Sequence, residues 1–220
     1  MKIGIIGTGA IGSTLTRRLT ALGHEVSVAN SRGPESLVDL AAETGAKPVS
    51  VAEAARSGEV VVVTIPEKNI QILPRDLFAA TPDGVVVVDT GNYYPRQRDG
   101  RIEAIEAGTT ESGWVAQQLK RPVVKAFNNI HAEHLLELGQ PKGTPGRIAL
   151  PVAGDDPAAK AVVLRLVDEL GFDGVDAGTL DESWRQQPDT PVYGTNFDAE
   201  GVRRGLSEAS QERKPEWRAI

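Results

Sequence analysis

Lys2-Ile3-Gly4-Ile5-Ile6-Gly7-Thr8-Gly9-Ala10-Ile11-Gly12 is the stretch on which the reading of this chain turns. A short apolar run of strand type ends at a glycine, and three glycines follow in the spacing G-x-G-x-x-G. Ile11, Leu15, Leu19 and Leu22 then recur at helical spacing, Gly23 supplies a stop, and Glu25 to Ala29 forms a second strand-like run. Strand, glycine turn, helix and strand make one βαβ unit. In that context the first glycine permits a tight turn, the second lets the backbone approach a pyrophosphate, and the third lets helix and strand pack closely. The helix start would face the phosphates with free N–H groups and a partial positive charge.

Moving outward, short apolar runs alternate with amphipathic stretches as far as Asp176. This pattern predicts an α/β fold, a Rossmann-like doubly wound and mostly parallel sheet over residues 1–178, with a C-terminal extension over 179–220. Helices are expected over Glu35 to Glu43, from an N-cap at Ser50 through Arg56, and over Glu67 to Ala80, where Pro74 must bend or end the helix. Further helices are expected over Gly113 to Lys120, His131 to Leu138, Pro157 to Leu170 and Ala199 to Ala209. The continuous β-branched runs Val60 to Ile65 and Val85 to Val88 predict central strands covered on both faces. Strands are also expected at Lys47 to Val49, Val123 to Phe127, Arg147 to Ala153 and Phe172 to Asp176.

Composition narrows the function. A net charge of −6 gives no electrostatic footprint for nucleic acid or an anionic membrane. No cysteine is present, so disulfides, thiol nucleophiles and thiolate metal sites are excluded, and three histidines argue against a dedicated metal centre. No apolar run approaches the ~18 residues of a spanning helix, and a cytoplasmic location is expected.

The second strand ends in Asn30-Ser31-Arg32, where an acid would favour NAD by binding the ribose 2′-hydroxyl. Arg32 instead offers a guanidinium fork and Ser31 a hydroxyl, so a 2′-phosphate, and hence NADP(H), is expected. Thr64-Ile65-Pro66, at the end of the fourth strand, is expected to lie over the cofactor. Taken with Ala153-Gly154-Asp155-Asp156, these motifs resemble the NADP-dependent deazaflavin coenzyme reductases, over roughly Met1 to Gly178. The cytosolic nicotinamide domain of the six-transmembrane ferric reductases is similar. The resemblance implies pyrophosphate contacts from Thr8, Gly9, Ala10 and Ile11, and a 2′-phosphate site at Ser31 and Arg32; Gly7, Gly12, Asn30 and Thr64 are further candidate cofactor-binding residues. It places Ile65, Pro66, Asn128 and Ala132 along the rest of the dinucleotide. Where family members can carry a further basic residue, this chain has Ser36.

Hydride transfer between two planar rings is chemistry that the cofactors carry, so no catalytic triad is expected. His131 is the candidate catalytic residue, to polarise a carbonyl or donate a proton, with a helix N-terminal or packing role as the alternative. Asn92 and Tyr93, in the loop Asp89 to Pro95, and Trp184 and Tyr193, in the extension, are candidate acceptor residues. Pro66, Tyr93, Asn128 and His131 each follow a strand's carboxyl end and are expected to share one cleft. The acceptor could be a deazaflavin, a flavin or a small carbonyl or imine; a non-catalytic NADP-binding sensor or an electron-transfer module is the alternative. The apolar residues of the extension, and the resemblance, imply a homodimer.

Overall fold

The computed structural model describes residues 1–220. The chain enters as β1 (Lys2–Ile6), α1 (Ala10–Ala21) and β2 (Glu25–Ala29). It continues with α2 (Val38–Thr44), β3 (Lys47–Pro48), α3 (Val51–Ala54), β4 (Val60–Val63), α4 (Glu67–Ile70) and β5 (Val86–Asp89). After the ligand-edge loop come α5 (Glu103–Glu106), α6 (Glu111–Leu119), β6 (Val124–Lys125) and α7 (Ala132–Glu137). The last alternating unit is β7 (Ala149–Val152), α8 (Pro157–Glu169) and β8 (Asp173–Asp176), and α9 (Ala199–Glu208) lies in the extension.

Six parallel strands form one sheet in the order β3-β2-β1-β4-β5-β6, the doubly wound arrangement. β7 and β8 form a separate parallel pair, joined to the main sheet by an antiparallel bridge between Lys125 and Ala153. The uninterrupted valine runs follow from burial on both sides. Ile3, Ile5, Val60, Val62, Val86 and Val88 enter one apolar cluster, whereas Ile6, Val61, Val63 and Val87 enter the opposite one.

Several predicted elements are shorter. The crossover expected over Glu67 to Ala80 is one helical turn followed by successive turns, because Pro74 cannot continue the helix. The helix expected from Glu35 starts as a 3-10 turn over Pro34–Leu37 and becomes α2 only at Val38. The strand expected through Phe127 stops at Lys125, and Phe127 itself takes a left-handed backbone with φ 62°. The capping box at Ser50 and Glu53 is present as predicted.

The extension packs onto its own chain. Val192, Val202 and Leu206 close a third apolar cluster with Ala149, Ala153, Val175 and Ala177, and the Ala149 N–H donates to the Phe197 carbonyl at 2.8 Å.

Candidate dinucleotide and acceptor site

The three glycines of the β1–α1 turn do three different jobs. Gly7 has φ +113°, a conformation that L side chains avoid, and a Cβ there would stand 2.2 Å from the Thr64 carbonyl. A Cβ on Gly12 would stand 2.0 Å from the Gly7 carbonyl, so helix and turn meet too closely for any side chain. Gly9 is the contrast: nothing lies within 4 Å of a Cβ built on it. That open cradle sits at the start of α1, where no side chain caps the helix and no acid occupies the first turn. Backbone N–H groups and a positive helix end therefore face free space, which suits a pyrophosphate.

The cleft above this turn holds about 420 Å³ and is lined by Gly7, Thr8, Gly9, Asn30, Ser31, Arg32, Thr64, Ile65 and Pro66. All of these were candidate cofactor residues from the sequence, and the fold brings them to one cleft. Sequence reasoning missed Val51, Asn69, Ile72 and Leu73, which line the same cleft together with Ile6. None of the four carries a sequence signature of ligand binding, so only the folded chain reveals them. Ala132 joins Thr8, Gly9 and Ala10 in an adjoining groove.

Asn30 organises the far end. Its Nδ2 donates to Thr8 Oγ1 at 3.2 Å and to Ser36 Oγ at 3.0 Å, and its Oδ1 accepts the Arg32 N–H at 2.8 Å. One amide thus ties the glycine turn to the loop presenting Ser31 and Arg32. Glu35, the nearest acid, folds against Gly33 and does not line the cleft.

Beyond Pro66 lies the carboxyl edge of β4, β5 and β6. Tyr93 must be corrected: it is fully buried in the core. Its hydroxyl accepts the Ile102 N–H at 2.9 Å and donates to Glu106 Oε1 at 3.0 Å, and burial pushes the phenol up to about 12. Its neighbour Tyr94 is only half-buried. Asp99 accepts from both the Lys68 N–H (3.2 Å) and the Tyr94 N–H (2.8 Å), which sets Tyr94 beside the start of α4, next to Pro66. Adjacent residues in extended backbone point opposite ways, and the sequence does not show which tyrosine turns inward.

The Tyr94 and Tyr193 hydroxyls are hydrogen-bonded, and burial followed by that bond raises the Tyr94 phenol further than Tyr93. The Gly194 N–H donates to the Asn129 carbonyl at 2.9 Å, and a Cβ on Gly194 would stand 3.5 Å from His131 Nε2. Tyr193 and His131 are thereby brought to the same edge, with His131 exposed at the N-cap of α7. Asn92 donates to the Asn128 carbonyl at 2.9 Å, and Asn128 Nδ2 donates to Asn92 Oδ1 at 3.0 Å and to the Gln186 carbonyl at 2.7 Å. Asn128 is therefore a buried strut behind the edge and does not line the cleft. Trp184 is also displaced from its expected place: it lines a small groove within the extension, between residues 187–190 and 210–213, under the Arg185 guanidinium.

Under the edge lies a buried charged cluster that carries no sequence signature. Lys125 Nζ donates to Asp89 Oδ2 at 3.2 Å and to the Gly91 carbonyl, and Ser112 Oγ donates to Asp89 Oδ2 at 2.6 Å. Glu111 pairs with Arg213 of the extension. Both carboxylate oxygens of Glu67 are buried without a partner, and burial, followed by the nearby Asp89 charge, pushes this acid well above its ordinary range.

Fold and cleft are of the Rossmann-like class seen in NAD(P)-dependent oxidoreductases. Residues 2–93 match the family described as "NADP oxidoreductase coenzyme F420-dependent". The hypothetical protein SMa0349 from Sinorhizobium meliloti is 32% identical, with a TM-score of 0.75 over 90% of this chain and 95% of that one. The chain belongs to one family with that protein. A protein from Arthrobacter sp. FB24, provisionally assigned as an F420-dependent NADP-reductase, is 25% identical, with a TM-score of 0.66 over 81% of this chain and 85% of that one. Over 80 residues the chain is 44% identical to Escherichia coli YjhV, a match covering 36% of this chain and 51% of YjhV. The chain matches about half, or less, of the length of its curated relatives. No helix is long and apolar enough to cross a membrane.

Proposed function

We propose that this protein exchanges a hydride between NADP(H) and a flat conjugated acceptor of the deazaflavin type. The observation that carries the reading is the joined geometry of the open Gly9 cradle and the Asn30-Ser31-Arg32 loop, a cleft whose lining contains a guanidinium and no acid. The match of residues 2–93 and the Arthrobacter neighbour support the acceptor class.

Bound NADP(H) would supply or receive the hydride. The chain supplies position: the α1 start holds the pyrophosphate, Arg32 and Ser31 hold the 2′-phosphate, and Val51, Ile72 and Leu73 hold the purine. Thr64, Ile65 and Pro66 then direct the nicotinamide toward Tyr94, Tyr193 and His131, which form the acceptor side. Reduction of the acceptor consumes one hydride and one proton, and His131 is assigned the proton. Its exposed position beside Gly194 leaves the imidazole in exchange with solvent.

The test is NADPH oxidation with and without a 5-deazaflavin, and with riboflavin in its place. Deazaflavin-dependent oxidation is expected. Tight NADPH binding without turnover on either ring would overturn the catalytic reading.

A further inference from the structure

The last eleven residues form neither an extended helix nor a strand, yet they are pinned across the edge where the acceptor residues lie. Arg96 holds them from below, donating from Nε to the Arg218 carbonyl at 2.9 Å and from Nη2 to the Pro215 carbonyl at 2.6 Å. The Ala219 N–H donates to Glu106 Oε1 at 2.9 Å, and the Lys214 N–H to Asp189 Oδ2 at 3.0 Å. Arg213 goes deepest, pairing with Glu111 and covering the Tyr93 ring at 5.2 Å. Between these anchors Trp217 meets both accessible tyrosines, its ring centroid 6.2 Å from Tyr94 and 6.4 Å from Tyr193.

The rings cross at 43° and 75°, so the indole leans on the phenols without stacking on either. Except at Arg213, the strap's polar contacts lie at exposed or half-buried positions, where each is worth little, and Ile220 is 98% exposed. Beyond the Arg213 anchor, residues 214–220 are held by weak polar contacts and the leaning indole, and such a segment belongs to the part of a fold that opens first.

We propose that residues 210–220 are a strap closed over the acceptor side, and that Trp217 is the gate a planar acceptor displaces to reach Tyr94 and Tyr193. The proposal rests on the acceptor-side reading above. The chain's own indole stands beside both phenols, where an incoming ring would have to pack, so the strap competes with it and loosening the strap tightens acceptor binding. No strap residue lines the cleft assigned to NADP(H), whose binding is therefore indifferent to the strap.

Equilibrium binding of riboflavin and of 5-deazariboflavin to the NADP⁺-loaded full-length protein tests this, in wild type, Trp217→Ala and Arg96→Ala. Arg96→Ala releases the strap without touching the aromatic cluster and guards against a local packing defect. In both variants the flavin Kd is expected to fall by about fivefold, the scale of one or two weak surface contacts released, with NADPH affinity unchanged. In the wild type, either ring should speed tryptic cleavage at the Arg218–Ala219 bond, whose N–H Glu106 otherwise holds. Unchanged or weaker flavin binding in the variants, absence of binding in all three proteins, or protection of that bond would overturn the gate. If the variants bind flavin more tightly and yet no NADPH is oxidised, the gate stands and the hydride-transfer reading fails.

Discussion

At the scale of single residues, the site depends on which groups are free and which are spent. Arg32 is exposed at the cleft while its backbone is fixed by Asn30, so its guanidinium is available to a 2′-phosphate. Arg32→Ala is expected to cost NADPH binding about 1.5–3 kcal/mol, the scale of a charge-assisted hydrogen bond, with NADH almost unaffected in the same titration. Tyr93 is spent, and Tyr93→Phe should cost about 1–3 kcal/mol of stability by leaving the Ile102 N–H unpaired, without changing acceptor binding; denaturant unfolding beside flavin binding checks both. Glu67 makes a pH prediction. Burial favours its neutral form, so over the range above about pH 4.5 where the unfolded chain has released this proton the folded protein holds it more strongly. The stability this gives is present below that pH and lost as pH rises through the elevated folded value. Relative to Glu67→Gln, the wild type should lose melting temperature from pH 5 to pH 8, whereas parallel curves would show that Glu67 ionises normally. The Asn30-Ser31-Arg32 end was legible from the sequence because strand order and a short motif place it. The choice between Tyr93 and Tyr94 was not, because it depends on which way one loop turns over Glu106 and Asp99.

At the scale of elements, the β1–α1 turn separates folding from binding. Gly9 has room for a methyl group and Gly12 has none. Gly9→Ala is expected to fold with a melting temperature close to wild type and to lose NADPH affinity, because the methyl fills the cradle. Gly12→Ala should lower the melting temperature as well, since the turn must move away from α1. Equal thermal losses in the two variants would contradict the assignment of their roles. The glycine spacing and the strand runs made β1, α1, β2, β4 and β5 readable, since each is bounded by its own chemistry. Past Asp89 the signals weaken. Tertiary contacts decide that β6 stops after two paired residues, that Phe127 turns left-handed, and that Asn128 becomes a strut against Gln186. None of these contacts is local in sequence.

For the whole molecule, the extension changes what its apolar residues imply. Val192 is fully buried and Pro188 is buried, so part of the surface that suggested a partner is covered within one chain, while Phe197 remains exposed. A homodimer is still proposed, through Phe197 and neighbouring exposed side chains; sedimentation across micromolar concentrations should show twice the mass of one chain, and a single-chain species throughout would leave the extension a purely intramolecular cover. The larger organisation follows from the sheet, whose carboxyl edge gathers cleft residues that lie from Gly7 to Leu73 in sequence. That organisation makes one claim before any acceptor is known: the cleft selects the phosphorylated dinucleotide. Calorimetric titration of the wild-type protein with NADPH and with NADH, at one ionic strength, measures it directly. The geometry of Arg32 and Ser31 predicts NADPH binding at least about tenfold tighter, and equal affinities or a preference for NADH would contradict it.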